Sequence, residues 1–398
     1  MTETGTEYPH STTRLSLQPL MFSYVACTAA LMAFVVVIGP VSRILGMPGW
    51  QTGVILTIGG VSWTLSARPW GDASDRAGRR RILLLGVGGF SIGYAALCMV
   101  LAYSLSIGIS GYLLFACLAL ARGTVGIFYA AIPSVSHALV ADHFVSGERA
   151  RVLALVGAAN GCGLVIGPAL AAALTQVNVI LPIVVIAVVP FLALLVLWRS
   201  LPKRKPSTYG PVPRLALTDP RLRRPMLIAF VAMLCVYIAQ VTVGFYALDR
   251  LHLAPDTASR VAGVALMIVG VALIAAQVCV RRIPCPPRRL SRIGAFVSAA
   301  GFSCVPFANS AVALEASFFI AALGMGWVFP SVSAMASVAV PSQKQGAAAG
   351  SVNAAQGLGV VVGPLVGTLL YEAGPAIPYI FASLLLLLVA GWPEADRI

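Results

Sequence analysis

The sequence predicts an all-α polytopic membrane protein of about twelve spans. Three observations carry that expectation. Only 10% of the 398 residues are charged, against about 25% in a soluble domain, while 59% are apolar and the mean hydropathy is +0.91. Lysines and arginines gather on one side of the apolar runs. Two short blocks of sequence recur, once in each half of the chain.

A helix needs about 20 apolar residues to cross the hydrocarbon core. The first residues are polar and lack the basic start of a secretory signal, so the run at about 20–42 reads as a retained first span. Span 2 follows at about 50–71, after a short external loop holding Gly46, Pro48 and Gly49. Then come span 3 at about 82–103 and span 4 at about 111–138. An inside loop holds Asp142, His143, Glu148, Arg149 and Arg151; span 5 then runs to about Leu174 and span 6 covers about 179–198.

Residues 201–224 change character, with Lys203, Arg204, Lys205, Arg214, Arg221, Arg223 and Arg224 set among prolines. Prolines and like charges oppose a packed core, so this stretch reads as a cytoplasmic linker between residues 1–200 and 225–398. The second part supplies spans at about 225–248, 258–280, 291–308, 312–339, 346–370 and 377–392, the last of them short.

The formal charge of +14 invites a nucleic-acid reading, but its distribution argues against one. Of the 27 lysines and arginines, 22 fall in the two tails and in the loops on the side of the N-terminus. That asymmetry places both termini in the cytoplasm, with the basic face against anionic lipid headgroups. The 8 cysteines are scattered and form neither a metal-ligand cluster nor a disulfide framework. No Gly-x4-Gly-Lys-Ser/Thr loop occurs, Gly161-Cys-Gly163 follows no strand, and His137 with Asp142 straddles a helix end without supporting elements. Nothing therefore points to an enzyme, a metal or a cofactor.

The densest charge cluster is Gly71 to Arg81, reading Gly-Asp-Ala-Ser-Asp-Arg-Ala-Gly-Arg-Arg-Arg between two apolar runs, and it is expected as a surface turn. The repeat pairs Pro133-Ser-Val-Ser136 with Pro330-Ser-Val-Ser333, 197 positions apart. It also pairs Gly163-Leu-Val-Ile-Gly167-Pro168 with Gly359-Val-Val-Val-Gly363-Pro364, 196 positions apart. Both copies enter spans of the same orientation, as a parallel duplication requires.

These features together resemble the major facilitator superfamily over essentially the whole chain. The resemblance implies two six-helix bundles related by a pseudo-twofold axis, usually monomeric, rocking about a central cavity. Gly71, Asp72, Asp75, Arg76, Gly78, Arg79 and Arg80 match the motif after the second helix. The family's pattern implies that Asp75 latches the halves by facing the N-terminus of span 11, where a carboxylate is favoured by up to about 2 kcal/mol. The second copy of this loop, after span 8, holds no acid, so any latch is asymmetric.

Arg122, in span 4, would cost about 2.5–3.5 kcal/mol if left to lipid, so it is expected to face the bundle interior. With Gly126 it resembles a pattern associated with proton coupling; a structural arginine bonding backbone carbonyls is the competing reading. Gly163, Gly167 and Pro168 resemble the fifth-span motif of proton-driven exporters, although Ala171 and Ala172 stand where trailing glycines are usual. Recurrence at Gly359, Gly363 and Pro364 keeps generic helix packing open as the explanation.

Titratable candidates for the proton are Glu315 in span 10 and His137 in span 4, with Asp249 and Glu372 near external span ends. Tyr24, Asn160, Gln240, Tyr246, Trp327 and Gln356 are candidate cavity residues. The functional expectation is export of a small organic molecule, drug-like or a siderophore or other secreted metabolite, in exchange for protons across the cell inner membrane. Import by proton symport on the same fold is the alternative.

Overall fold

In the computed structural model, residues 16–108, 111–144, 146–201, 219–280, 285–341 and 344–392 are described. The 201–224 linker falls largely outside them, as do both tails and Arg281 and Arg282. The described residues form helices and no strand. In chain order these are α1 (Gln18–Ile44), α2 (Gly49–Ala77), α3 (Arg79–Ile107), α4 (Tyr112–Tyr129), α5 (Ala131–His143), α6 (Ser146–Leu174) and α7 (Leu181–Ser200). There follow α8 (Arg223–Asp249), α9 (Pro255–Val280), α10 (Pro287–Cys304), α11 (Ala311–Val338), α12 (Gln345–Ala373) and α13 (Ile377–Gly391).

Helices α4 and α5 make one rod interrupted at Ala130. Pro133 has no amide to give the Tyr129 carbonyl, which loosens the ladder at that point. Ten of the described helical segments are long and apolar enough to cross a membrane by themselves, two fewer than the spans expected from the sequence. The other two are α2 and α13. The 29-residue α2 is polar because it packs on α4 and α12 and runs on into charge, and α13 has only 15 described residues.

The expected turn from Gly71 to Arg81 is corrected. Helix α2 continues to Ala77 and α3 begins at Arg79, so the reversal is made at Gly78 alone, with φ of 93°. Only glycine takes that backbone angle without strain. The charges that suggested a loop pair along the helix instead: Arg68 with Asp72, and Asp75 with Arg79, each four residues apart. The expected inside loop around 142–151 is likewise shorter than read, because α5 extends to His143 and α6 starts at Ser146.

Glycines set the helix packing, and they do so twice. In α6, a Cβ on Gly163 would lie 3.0 Å from the Val25 carbonyl oxygen, and one on Gly167 2.9 Å from Ala29 Cα, so this face lies directly on α1. In α12, a Cβ on Gly359 would lie 2.7 Å from the Phe230 carbonyl oxygen and one on Gly363 2.6 Å from Tyr237 Cβ, so the matching face lies on α8. Small residues let helix backbones approach to this degree, which is how helices associate where lipid removes the hydrophobic drive.

Contacts between the first and second groups of helices repeat the same logic. They run chiefly through α2 on α12, α6 on α9, and α1 on α8 and α9. A Cβ on Gly53 of α2 would lie 3.0 Å from the Pro364 carbonyl oxygen, and one on Gly263 of α9 2.7 Å from that of Pro168. Gly60 faces Val361, and Gly270 faces Val165. Gly53 and Gly60 each precede their counterparts by 210 positions; Pro168 and Val165 precede theirs by 196. Two seams built from equivalent positions are what a twofold relation between the groups produces.

Candidate functional site

Among the described residues, the ion pair and most of the hydrogen bonds that join the two groups lie toward the face opposite the arginines, here called the far face, while Gln240 of α8 donates to Met32 Sδ of α1 at 3.3 Å near mid-depth. Arg43 of α1 donates to Asp249 of α8 at 2.8 Å and stacks over Phe245, 5.3 Å from the ring centroid. Tyr371 of α12 donates to the same carboxylate at 3.1 Å. The Trp50 amide, at the start of α2, donates to Glu372 of α12 at 2.8 Å, and Thr57 donates to the Val361 carbonyl at 2.9 Å. Several small positions on α2, α6 and α12 have open space beside them. A Cβ on Gly71, Gly157, Gly161 or Gly350 would meet nothing within 4 Å, and Asn353 and Ala354 are exposed. The polar ties between the two groups are thus concentrated toward the far face.

Arg122 faces the boundary between the two groups, with Phe34, Gly59, Tyr94 and Tyr129 of the first and Tyr237 of the second around it. It lies ten residues into α4, about 15 Å from the Tyr112 end at 1.5 Å per residue, near the middle of a bilayer. Its guanidinium packs on Gly59 of α2, where a Cβ would come within 2.6 Å of Cζ, and stands 5.9 Å from the centroid of the Phe34 ring. Tyr94, Tyr129 and Tyr237 are its electrostatic neighbours. The buried Nε has no hydrogen-bond partner, and neither has the buried Tyr94 hydroxyl. Tyr129 continues into a polar cluster, its hydroxyl 2.9 Å from Thr28 Oγ1, which donates to Asn160 Oδ1 at 2.8 Å.

Beside this polar cluster, α8, α9, α10 and α11 enclose an apolar cavity of 180 Å³, lined by Met233, Tyr237, Gln240, Phe302, Phe318, Met325 and Phe329, with Leu164 of α6 closing one side. Tyr237 belongs to both. Its position was not legible in the sequence, because α8 is apolar on all sides and gives no periodicity to separate a lining residue from a packed one. A larger hollow of 890 Å³ opens at the basic end, but α8, α10, α11 and α13 and their flanks line it without any residue of the first group.

The motif after α2 is brought together as a charge hub at the basic face. Arg79 pairs with Asp75, donates through Nε to Asp142 of α5 at 3.0 Å, and reaches Ser74 Oγ. Arg80 donates to the Trp198 and Leu201 carbonyls at 2.6 and 2.8 Å, satisfying the orphan end of α7. Asp72 and Arg76 are exposed, and Gly71 has open space beside it.

The titratable candidates stand apart from Arg122. Glu315 lies near the far-face end of α11, within electrostatic reach of Arg260, and His137 is exposed on α5. Of the cavity candidates, Asn160 accepts from Thr28, and Gln240 lines the apolar cavity and donates to Met32 Sδ at 3.3 Å. Tyr246 is fully buried and donates to the Val305 carbonyl at 2.7 Å, and Trp327 donates to Ala276 at 3.2 Å, both inside the second group. Tyr24 is buried, Gln356 partly so.

Comparison with known proteins places these features in a family. The chain is 27% identical to the class G tetracycline resistance protein of Vibrio anguillarum and to the class C protein of Escherichia coli, over 81% of this chain and 80% of each relative. Its fold is similar to the human organic anion transporter TETRAN, with a TM-score of 0.65 at 20% identity, covering 95% of this chain and 99% of that one. It is also similar to a bacterial homologue of the lysosomal transporter Spinster solved in an inward-facing conformation, with a TM-score of 0.71 at 15% identity, covering 94% and 93%. The sequence model of the Major Facilitator Superfamily matches residues 20–286 and 284–393, and the chain, a multi-pass all-α transporter and not an enzyme, belongs to that family.

Proposed function

We propose that the chain is a proton-driven exporter of a small organic molecule, working by alternating access in the cell inner membrane. The observation that carries the direction is the similarity, over four-fifths of the chain, to two tetracycline resistance proteins. Arg122 near mid-bilayer, with the apolar cavity lined by its neighbour Tyr237, supports a binding site within the membrane span. In this reading both termini are cytoplasmic, residues 1–200 and 225–398 are the two rocking bundles, 201–224 links them, and the monomer is the working unit.

The residues take proposed roles. Asp75, with Gly71, Asp72, Arg76, Gly78, Arg79 and Arg80, forms the cytoplasmic latch. Gly163, Gly167 and Pro168, with Gly359, Gly363 and Pro364, shape the two helices on which the bundles bear. Arg122 acts in coupling through its permanent charge, since a guanidinium does not give up its proton. His137 on the basic side and Glu315 near the far face are the proposed proton carriers. Anionic headgroups meet the arginines of the basic face.

Everted membrane vesicles test this. With the vesicle interior acidified, addition of tetracycline or a panel of small organic acids should discharge the pH gradient, read by a pH-sensitive dye, only when the protein is present. Accumulation that requires the opposite gradient would establish import instead.

A further inference from the structure

Arg122 is a fixed cation at mid-depth, and the described acids all lie near one face or the other. Asp72, Asp75, Asp142, Glu148 and Asp219 sit toward the basic face; Asp249, Asp256, Glu315 and Glu372 sit toward the far face. No carboxylate among the described residues stands beside Arg122, and its electrostatic neighbours are neutral tyrosines. Two polar atoms there, Arg122 Nε and the Tyr94 hydroxyl, are buried without a partner. An unneutralised guanidinium in an interior site is held in readiness for an anion, and a planar donor fork suits a carboxylate, sulfonate or enolate.

The neighbouring cavity has the contrary chemistry. Met233, Phe302, Phe318, Met325 and Phe329 offer thioether and aromatic surface, which adapts to flat apolar bodies, with the Gln240 amide as the polar group. Tyr237 joins the two, since it lines the apolar cavity and feels the charge of Arg122. We infer that the cargo is an amphipathic organic anion, its acidic group held at Arg122 and its apolar or aromatic body lodged in the cavity between α8, α9, α10 and α11.

This inference rests on reading Arg122 and the neighbouring cavity as the transport site, and it specifies the charge of what is carried. A strongly cationic drug is disfavoured by the same arrangement: it would meet Arg122 as a like charge and find no carboxylate to pair with.

The test is equilibrium binding to the purified protein in lipid nanodiscs, using three probes of one shape: 1-naphthaleneacetate, its neutral amide, and 1-naphthylmethylammonium. The acid should bind about tenfold or more tightly than the amide, and the ammonium most weakly. In Arg122→Gln the acid should fall to the level of the amide, while Phe329→Ala should weaken acid and amide alike. Equal binding of acid and amide by the unaltered protein, preference for the ammonium, or no acid binding up to about 1 mM would overturn the inference. The three-probe ranking in the unaltered protein decides the matter even if Arg122→Gln fails to fold. Binding is independent of direction, so a cation preference with intact pH-driven efflux sinks this inference alone. Acid preference without efflux sinks the exporter reading alone.

Discussion

The carboxylate of Glu372, in the last turn of α12, accepts a hydrogen bond from the backbone amide of Trp50 at the start of α2. A helix N-terminus carries unpaired amides and partial positive charge, so an acid there is favoured by about 0.3–1 kcal/mol, more where partly buried. The Arg43–Asp249 pair closes the same end, but with side chains 41% and 35% exposed it adds less than about 1 kcal/mol. Removing both through Glu372→Ala and Asp249→Asn should raise the far-face-open population several-fold. Spin labels at Ile44 and His252 in a cysteine-free background would show it as a longer inter-label distance; unchanged distances would remove the far-face contacts from the gating balance.

Asp75 answers Glu372 at the other end of the same helix pair. Helices α2 and α12 run antiparallel, with Gly53 against Thr368, Gly60 against Val361 and Thr64 beside Gly357. Continued at that register, Asp75 would come opposite Gly346, in the first turn of α12. In the conformation described it pairs with Arg79 instead, which fits a latch that is open. Asp75→Asn should therefore slow transport several-fold with expression intact. Full transport rates in that variant would remove the latch.

Arg122→Ala and Arg122→Lys should both abolish gradient-driven flux. Lysine keeps the charge but not the planar fork packed on Gly59, so the two variants separate charge from shape. Retained pH-driven transport in Arg122→Ala would contradict the coupling role.

Arg79 is 16% exposed and Asp142 14%, so theirs is the most enclosed ion pair at the basic face among the described residues. Arg79→Ala leaves the Asp142 carboxylate without its partner and should destabilise the protein by about 2 kcal/mol. Adding Asp142→Asn should restore part of that. Thermal unfolding of the four members of this cycle measures the coupling, and additive effects would show that the pair is not coupled.

Glycine positions give a matched contrast. A Cβ at Gly359 meets the backbone of α8, which cannot move aside, so Gly359→Ala should cost about 1–3 kcal/mol. At Gly161 a Cβ meets nothing, and alanine there should be neutral or stabilising by up to about 1 kcal/mol. Melting temperatures in detergent distinguish the two; similar shifts would mean the α8–α12 packing is looser than described.

Much of the fold was legible because lipid enforces it. Apolar runs, one-sided arginines and the doubled Gly-x-x-x-Gly-Pro block each reflect a constraint the bilayer imposes on every span. The turn at 71–81 misled because charge density and Gly71 look like a loop, although the four-residue spacing of Arg68 with Asp72 and Asp75 with Arg79 was the helical signal available. Arg122 could be singled out since one charge in an apolar run is conspicuous. Tyr237 and the Arg43–Asp249 pair could not, the first because an all-round apolar helix hides its lining face, the second because its members are 206 positions apart and meet only in the folded chain.

Where side chains interlock, as in most cores, sliding one surface over another means climbing out of each notch in turn. The seams at Gly53 with Gly60, and at Gly263 with Gly270, have shallow notches instead, each glycine taking only a short side chain or a carbonyl from its partner helix: Thr368 and Val361 on one seam, Pro168, Ala172 and Val165 on the other. They work as a matched pair of bearings: the load is shared between them, and a bulky residue in either one should wedge its seam apart and make the tilt lopsided.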